Sequence, residues 1–414
     1  MNGGSPKHPP PCSAMLVRSV GAGALLLGLS TAPSRAAEPL QLVETFPIET
    51  SLDHTDVADA SDVWLDMLAG ARTSLDFAEF YASNVAGSRL EAVVQAIEAA
   101  AARGVRVRFL AEEGFYRTYP ETLDRLGARN GITVRRFDVR SLTGGVLHAK
   151  YFIVDDREAF VGSQNFDWRA LTHIQELGLR FSVPDVVRAF SAVFEHDWRL
   201  AAGEPGTTAP TPDDAASFPS LVVQGSDTLR VTPVFSPKDW VPAASWDLPR
   251  LVSMIDGARR SVRVQLLTYR TVGRDSTYFA DLEDALRRAA ARGVQVQLLL
   301  ADWSKRRGTI EGLQSLQALS NLDVKLVTIP PWSGGFVPFA RVIHAKYMLV
   351  DGERFWLGTS NWERDYFFNS RNAGVIVEGK LAQRLERFFL DNWNGPYAYD
   401  VDPCATYEPP RVGN

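Results

Sequence analysis

The sequence predicts an α/β protein built twice over, two similar halves of mixed sheet and flanking helix related by a pseudo-twofold axis. Three observations carry that prediction. His148-Ala-Lys150, Asp155 and Gly162-Ser163-Gln-Asn165 recur as His344-Ala-Lys346, Asp351 and Gly358-Thr359-Ser-Asn361, with identical internal gaps. The likeness extends upstream, where Gly70-Ala-Arg72-Thr-Ser echoes Gly257-Ala-Arg259-Arg-Ser, and Ala102-Arg103-Gly104-Val echoes Ala291-Arg292-Gly293-Val. In each half, strand-type apolar runs alternate with helix-type ones, which indicates α/β layers.

The elements follow in order. Residues 1–37 read as a signal peptide with an upstream extension. From Met15, a start carrying Arg18, an apolar Val20–Leu29 run and Ser34-Arg35-Ala36 before Ala37-Glu38 have the three parts of a secretory leader. The apolar run is too short for a stable membrane anchor. Cleavage after Ala36 or Ala37 and export, periplasmic or extracellular, are expected. The first domain, 38–200, begins with a strand near Leu75, continues through an amphipathic alanine-rich helix near 88–102 and returns over Val105–Leu110. The apolar run Tyr151–Val154 makes the first motif a buried strand. Residues two apart on a strand point the same way, so His148 and Lys150 share one face. Gly162 begins a tight turn that sets Ser163 and Asn165 beside them. Residues 201–220, rich in Pro, Gly, Thr and Ala, form the linker. The second domain, 221–414, repeats the plan: a strand near Val262, a helix near 279–291, a strand over Val294–Leu300, then His344–Asp351 and a turn at Gly358 that sets Thr359 and Asn361.

The repeated residue types point to a phosphodiester. Neutral imidazole is a nucleophile, imidazolium is a proton donor, and lysine ammonium with asparagine amide binds anionic oxygen. Lys150, Lys346, Asn165 and Asn361 form that clamp, and Ser163 and Thr359 are weaker substrate-binding candidates. Asp155 and Asp351 lie beyond the lysines at the strand ends and read as structural partners. His54, His173 and His196 have no partner at regular spacing and take surface or core roles. No metal-ligand set emerges, since a zinc site wants Cys or His pairs at short spacing and the mature chain keeps only Cys404. No cofactor is predicted, and Asp213-Asp214 and Asp155-Asp156 read as loop charges. Removing residues 1–36 takes away Lys7, Arg18 and Arg35 and no acid, so the net charge falls from −5 to −8. Such a chain does not coat duplex DNA through a broad basic surface, and a polyanion must meet a local positive cleft. Lys305-Arg306-Arg307 is either part of that cleft or a solvated turn. Trp168, Trp303, Trp332, Phe336 and Trp362 lie in or near motif-flanking loops, where they either pack or stack on substrate bases, and Trp332, in the loop leading directly to the second motif, is the foremost candidate for stacking.

The duplicated His-x-Lys pattern resembles the phospholipase D superfamily, which implies two phospholipase D-like domains meeting at one cleft. Leu142-Thr-Gly-Gly-Val-Leu-His148, Gly162-Ser-Gln-Asn-Phe-Asp-Trp168, Val337-Pro-Phe-Ala-Arg341-Val-Ile-His344 and Asp391-Asn-Trp-Asn-Gly-Pro-Tyr397 are similar to the animal lysosomal branch, whose members are five-prime exonucleases on single-stranded DNA and RNA. The resemblance implies metal-independent in-line attack by one histidine, a covalent phosphohistidine, and leaving-group protonation by the other. Splitting one hard displacement into two easier ones is the general gain of covalent catalysis. In the family a carboxylate at the distance of Glu176 from His148 holds the histidine ring, whereas the equivalent position after His344 is Asn372. On that reading His148 attacks and His344 donates, although a carboxylate raises a histidine pKa and equally suits a proton donor. Phospholipid, with hydrolysis or transfer of phosphatidyl groups, is the alternative substrate. A catalytically idle binding module fits poorly with two complete motifs. Both motifs lie in one chain, so a monomer suffices for a complete site. The animal proteins carry membrane anchors and disulfides, which the mature sequence lacks.

Overall fold

In each half, seven strands run in the same spatial order. The first sheet reads Leu40–Thr45, Ile174–Phe181, Glu158–Gly162, Lys150–Val154, Ser74–Glu79, Arg106–Glu112, Ile132–Phe137. The second reads Asp227–Ser236, Asn372–Glu378, Arg354–Gly358, Tyr347–Val350, Ser261–Leu266, Gln295–Ala301, Leu322–Val327. Neighbours are antiparallel except for the last three strands of each list, which are parallel. A parallel pair needs a crossover, and helices supply it: Arg89–Ala102 and Glu121–Gly127 in the first half, Asp281–Ala291 and Ile310–Gln317 in the second. The computed structural model describes residues 38–204, 218–273 and 276–413. The leader predicted over 1–37 and the linker centre, 205–217, lie outside the described residues.

The upstream echoes have physical causes. Each alanine-rich helix ends in Ala-Arg-Gly-Val, where Gly104 (φ 93°) and Gly293 (φ 85°) take the left-handed conformation. Gly104 N–H then reaches Ala101 O and Val105 N–H reaches Ala100 O, and Gly293 and Val294 repeat this on Ala290 and Ala289. These bonds close the last helical carbonyls and aim the chain into the next strand. Ser88 caps the first of these helices by accepting from Glu91 N–H at 3.3 Å.

Three cores result. One lies on the outer face of each sheet, and a third between the halves contains the helices Pro184–Ala201 and Leu381–Asn394 together with Tyr151, Val161, Tyr347 and Leu357. Each fully buried large apolar side chain contributes about 1.5–3 kcal/mol. The residues Glu38–Asn414 accordingly form one compact unit. No helix among the described residues is long and apolar enough to cross a membrane.

Candidate active site

The two motifs meet because each half lends its backbone to the other. His148 N–H donates to Arg371 O at 2.8 Å and His344 N–H donates to Gln175 O at 2.7 Å, so each histidine is hung from the strand end of the opposite half. The regular strands start at Lys150 and Tyr347, later than the histidines, for that reason. Arg371 and Gln175 precede Asn372 and Glu176, and the side-chain pairing is crossed in the same way. Glu176 accepts from His344 Nδ1 at 2.7 Å, and Asn372 Oδ1 accepts from His148 Nδ1 at 3.1 Å. Asn372 Nδ2 donates to the carbonyls of Tyr366 and Ser370, which fixes Oδ1 toward the imidazole and leaves Nε2 as the outward nitrogen. The sequence reading placed Glu176 on His148, its own half. The structure corrects this: the carboxylate supports His344, because the beginnings of strands Ile174–Phe181 and Asn372–Glu378 each abut the motif of the opposite half.

The centre is buried and rich in basic groups. His148, Lys150, Glu176, His344 and Lys346 are all buried, and Lys150 Nζ donates to His148 O at 2.5 Å. Burial, with Lys150, Lys346 and His344 nearby, holds His148 well below its ordinary range, and burial with both lysines does the same to His344. The bridges Leu147–Arg371 and Gln175–Ile343, each pairing the residue before one motif histidine with a strand end of the opposite half, bring the two motifs to one place. Burial pushes Lys346 down to about 7 and Glu176 up to about 8. Lys346 Nζ, Asn165 Oδ1 and Asn361 Oδ1 are buried without a hydrogen-bond partner among the described residues. Buried polar atoms left unpaired at one place mark a site built for a polar ligand. Glu79, not singled out from sequence, is also buried there, opposite Lys150 in the strand register.

The other expected residues are placed differently. Ser163 and Thr359 are fully buried beneath the site, and their hydroxyls are already engaged: Ser163 with the Leu177 peptide, Thr359 with Ala373 N–H and Asn372 Oδ1. They therefore position the residues around them and do not face the cavity as substrate-binding groups. Gly162 and Gly358 end strands and do not open turns. A Cβ on Gly162 would lie 2.9 Å from Gly178 Cα, and one on Gly358 would lie 3.0 Å from Ala373 O, so glycine is needed for close strand approach. Asp155 accepts from Arg72, Thr73 and Ser74 N–H at 2.7–2.9 Å, and Asp351 from Arg259, Arg260 and Ser261 N–H at 2.7–3.0 Å. This is the reason for the Gly-Ala-Arg-x-Ser echo. His54 pairs with Glu44 and His196 with Asp197, both buried, while His173 sits between Trp168 and Trp332. Among the described residues no group of three His, Cys, Asp or Glu side chains is arranged to hold a metal ion. Lys305 lies over the Tyr399 ring, and Arg306 and Arg307 are exposed.

A cavity of about 240 Å³ opens beside His344 and Asn165, walled by Phe80, Tyr81, Phe115, Tyr119, Trp303 and Phe339. Trp332 is not part of its lining; it packs on His173 and folds over Gly334. Sequence reasoning missed five of these six aromatics as binding residues. The available signal was position: Phe80 and Tyr81, Phe115, and Trp303 each follow the carboxyl end of a parallel strand, where open α/β sheets bind ligands.

Comparison with known proteins agrees with this geometry. The profile of the family described as "Cardiolipin synthase, PLD-like domain" matches residues 64–198 and 251–393. The chain is 31% identical over 427 residues to the cattle protein named 5'-3' exonuclease PLD3, covering 94% of this chain and 86% of that one. It is 30% identical over 404 residues to Phospholipase D Z of Dictyostelium discoideum, covering 92% and 94%. Among solved structures, phosphatidylserine synthase from Haemophilus influenzae superposes with a TM-score of 0.58 at 12% identity, over 82% of this chain and 85% of that one, a likeness of fold.

Proposed function

This chain belongs to the phospholipase D superfamily of phosphodiesterases, and on that premise we propose that it is an exported, metal-independent five-prime exonuclease on single-stranded DNA or RNA, acting through a phosphohistidine. The observation that carries the chemistry is the crossed pair of imidazoles, each held at Nδ1 by the opposite half and set among two lysines. The relatives named 5'-3' exonuclease support the substrate, and the leader-like Met15–Ala37 segment supports export.

His344 attacks. Its Nε2 lone pair forms the bond to the phosphorus of the terminal nucleotide, the P–O bond to the rest of the strand breaks, and the leaving oxygen takes a proton from His148 Nε2. Water then attacks phosphorus and gives its proton to His148, and the P–N bond breaks to release the product and His344. Glu176 opposes the positive charge His344 gains on bonding phosphorus, as the aspartate does in a catalytic triad. Asn372 is neutral, so imidazolium at His148 has no carboxylate to hold its proton and is the better acid. Lys150, Lys346, Asn165 and Asn361 stabilise charge on the non-bridging oxygens.

The test compares a labelled single-stranded oligonucleotide with phosphatidylcholine vesicles, in EDTA, using wild type, His148→Ala and His344→Ala. Oligonucleotide cleavage that withstands the chelator and fails in both variants is expected, with an acid-labile phosphoryl adduct trapped on His344. Headgroup release with an intact oligonucleotide would establish the phospholipase reading, which the similarity to Phospholipase D Z favours. An adduct on His148 would reverse the two roles.

A further inference from the structure

We propose that the aromatic cavity beside His344 is a subsite for one nucleobase, that of the terminal nucleotide whose phosphoryl group the enzyme takes up. The proposal rests on the nuclease reading and specifies how that site holds its substrate. About 240 Å³ is below the roughly 300–1,000 Å³ of pockets for drug-sized ligands. A space of that size, walled by six aromatic side chains, suits one flat ring system.

One wall is preorganised. Phe80, Phe115, Tyr81 and Tyr119 form a continuous run of rings, with neighbouring centroids 4.1 Å (Phe80–Phe115), 5.5 Å (Phe115–Tyr81) and 5.2 Å (Tyr81–Tyr119) apart. That run touches the reacting centre, since the Phe80 ring lies 5.0 Å from the His148 ring and 4.8 Å from Lys150 Nζ. The Tyr81 hydroxyl donates to Asp167, which also binds Arg169, so the wall is tied down at its polar end. The second half supplies Trp303 and Phe339. Phe339 is 48% exposed, and its backbone is held at a φ of 57° by a 2.7 Å hydrogen bond from its N–H to Val412 O. A large ring kept half in solvent on a left-handed backbone is costly twice over, and such strain concentrates at ligand clamps. The hydrogen bonds of Arg169 go to Asp167 and to Pro338 O, so its guanidinium is already engaged and the walls of the cavity are mainly aromatic faces. Recognition is then by the π-face that every base has, which makes the subsite tolerant of sequence.

The test measures kcat/KM for wild type, Phe339→Ala and Trp303→Ala on a single-stranded oligonucleotide with an ordinary five-prime nucleotide and on the same strand with an abasic five-prime residue. The thermal midpoint of each variant is measured alongside. Expected are a loss of about tenfold or more for wild type on removing the base, a similar loss for each variant on the ordinary strand, and no further loss for either variant on the abasic strand. Equal rates of wild type on the two strands, or equal losses of a folded variant on both, would overturn the subsite while leaving the nuclease reading intact. Cleavage of neither strand by wild type would remove both.

Discussion

At the scale of single residues, the four buried basic groups compete for protons, and this sets the pH dependence. Attack needs His344 neutral, and leaving-group protonation needs His148 charged. Burial and the neighbouring cations hold both imidazoles below the ordinary 6.5. The protonated fraction of His148 therefore falls with rising pH from an acidic starting point, and Lys346 loses its charge through about 7. Below the depressed value of His344 the nucleophile is lost instead. The pH profile of kcat/KM, which reports the free enzyme's groups, is expected to be a bell with its maximum below about 6.5; a plateau extending well above pH 8 would contradict the assignment. The residue types of this site were legible in the sequence because they occur twice at identical spacing. Their pairing was not, since counting along one half cannot reveal that Glu176 reaches across to His344.

At the scale of elements, the aspartates at the strand ends tie each motif strand to the turn before its neighbour. Asp155 collects three backbone N–H groups and the Thr73 hydroxyl. Burial opposes its charge, but the N–H groups of Ser74, Thr73 and Arg72 hold it below the usual aspartate range. A depressed carboxyl stabilises the fold fully above its unfolded value of about 3.9 and loses that contribution as pH falls through the folded value. Asp155→Ala leaves the partly buried Ser74 N–H without its acceptor, while the exposed Arg72 and Thr73 N–H groups turn to water, and is expected to cost about 1–3 kcal/mol in urea unfolding at pH 7. Activity per folded molecule should persist; loss of activity with unchanged stability would place Asp155 in the chemistry. The strands and helices near Leu75, 88–102, Val105–Leu110 and their copies were legible because period, alanine content and the Ala-Arg-Gly-Val stop all agree locally. The aromatic cavity was not, because Phe80, Phe115 and Phe339 come from segments with no common spacing and meet only when strand ends are brought together.

At the scale of the whole molecule, the halves are joined by polar groups as well as by the shared core. Arg371, fully buried, donates to Asp197 at 2.8 Å and to Ser236 O at 2.9 Å, and its own carbonyl carries His148. Gln265 donates to Gln175 across the same boundary at 2.7 Å. Asp197→Ala leaves a buried guanidinium without its counter-charge, and about 3–5 kcal/mol of stability should be lost. Urea unfolding checks this, and a cost under 1 kcal/mol would mean that solvent reaches the pair. The crossed suspension of the histidines has one more consequence. Because each histidine is held by a backbone carbonyl and a side chain of the opposite half, the site forms by association of the halves, and severing the chain between 204 and 218 should be tolerated. Fragments 38–204 and 218–414 should each be inert in isolation and regain cleavage when produced in the same cell, making this a protein that can be divided into two complementing pieces.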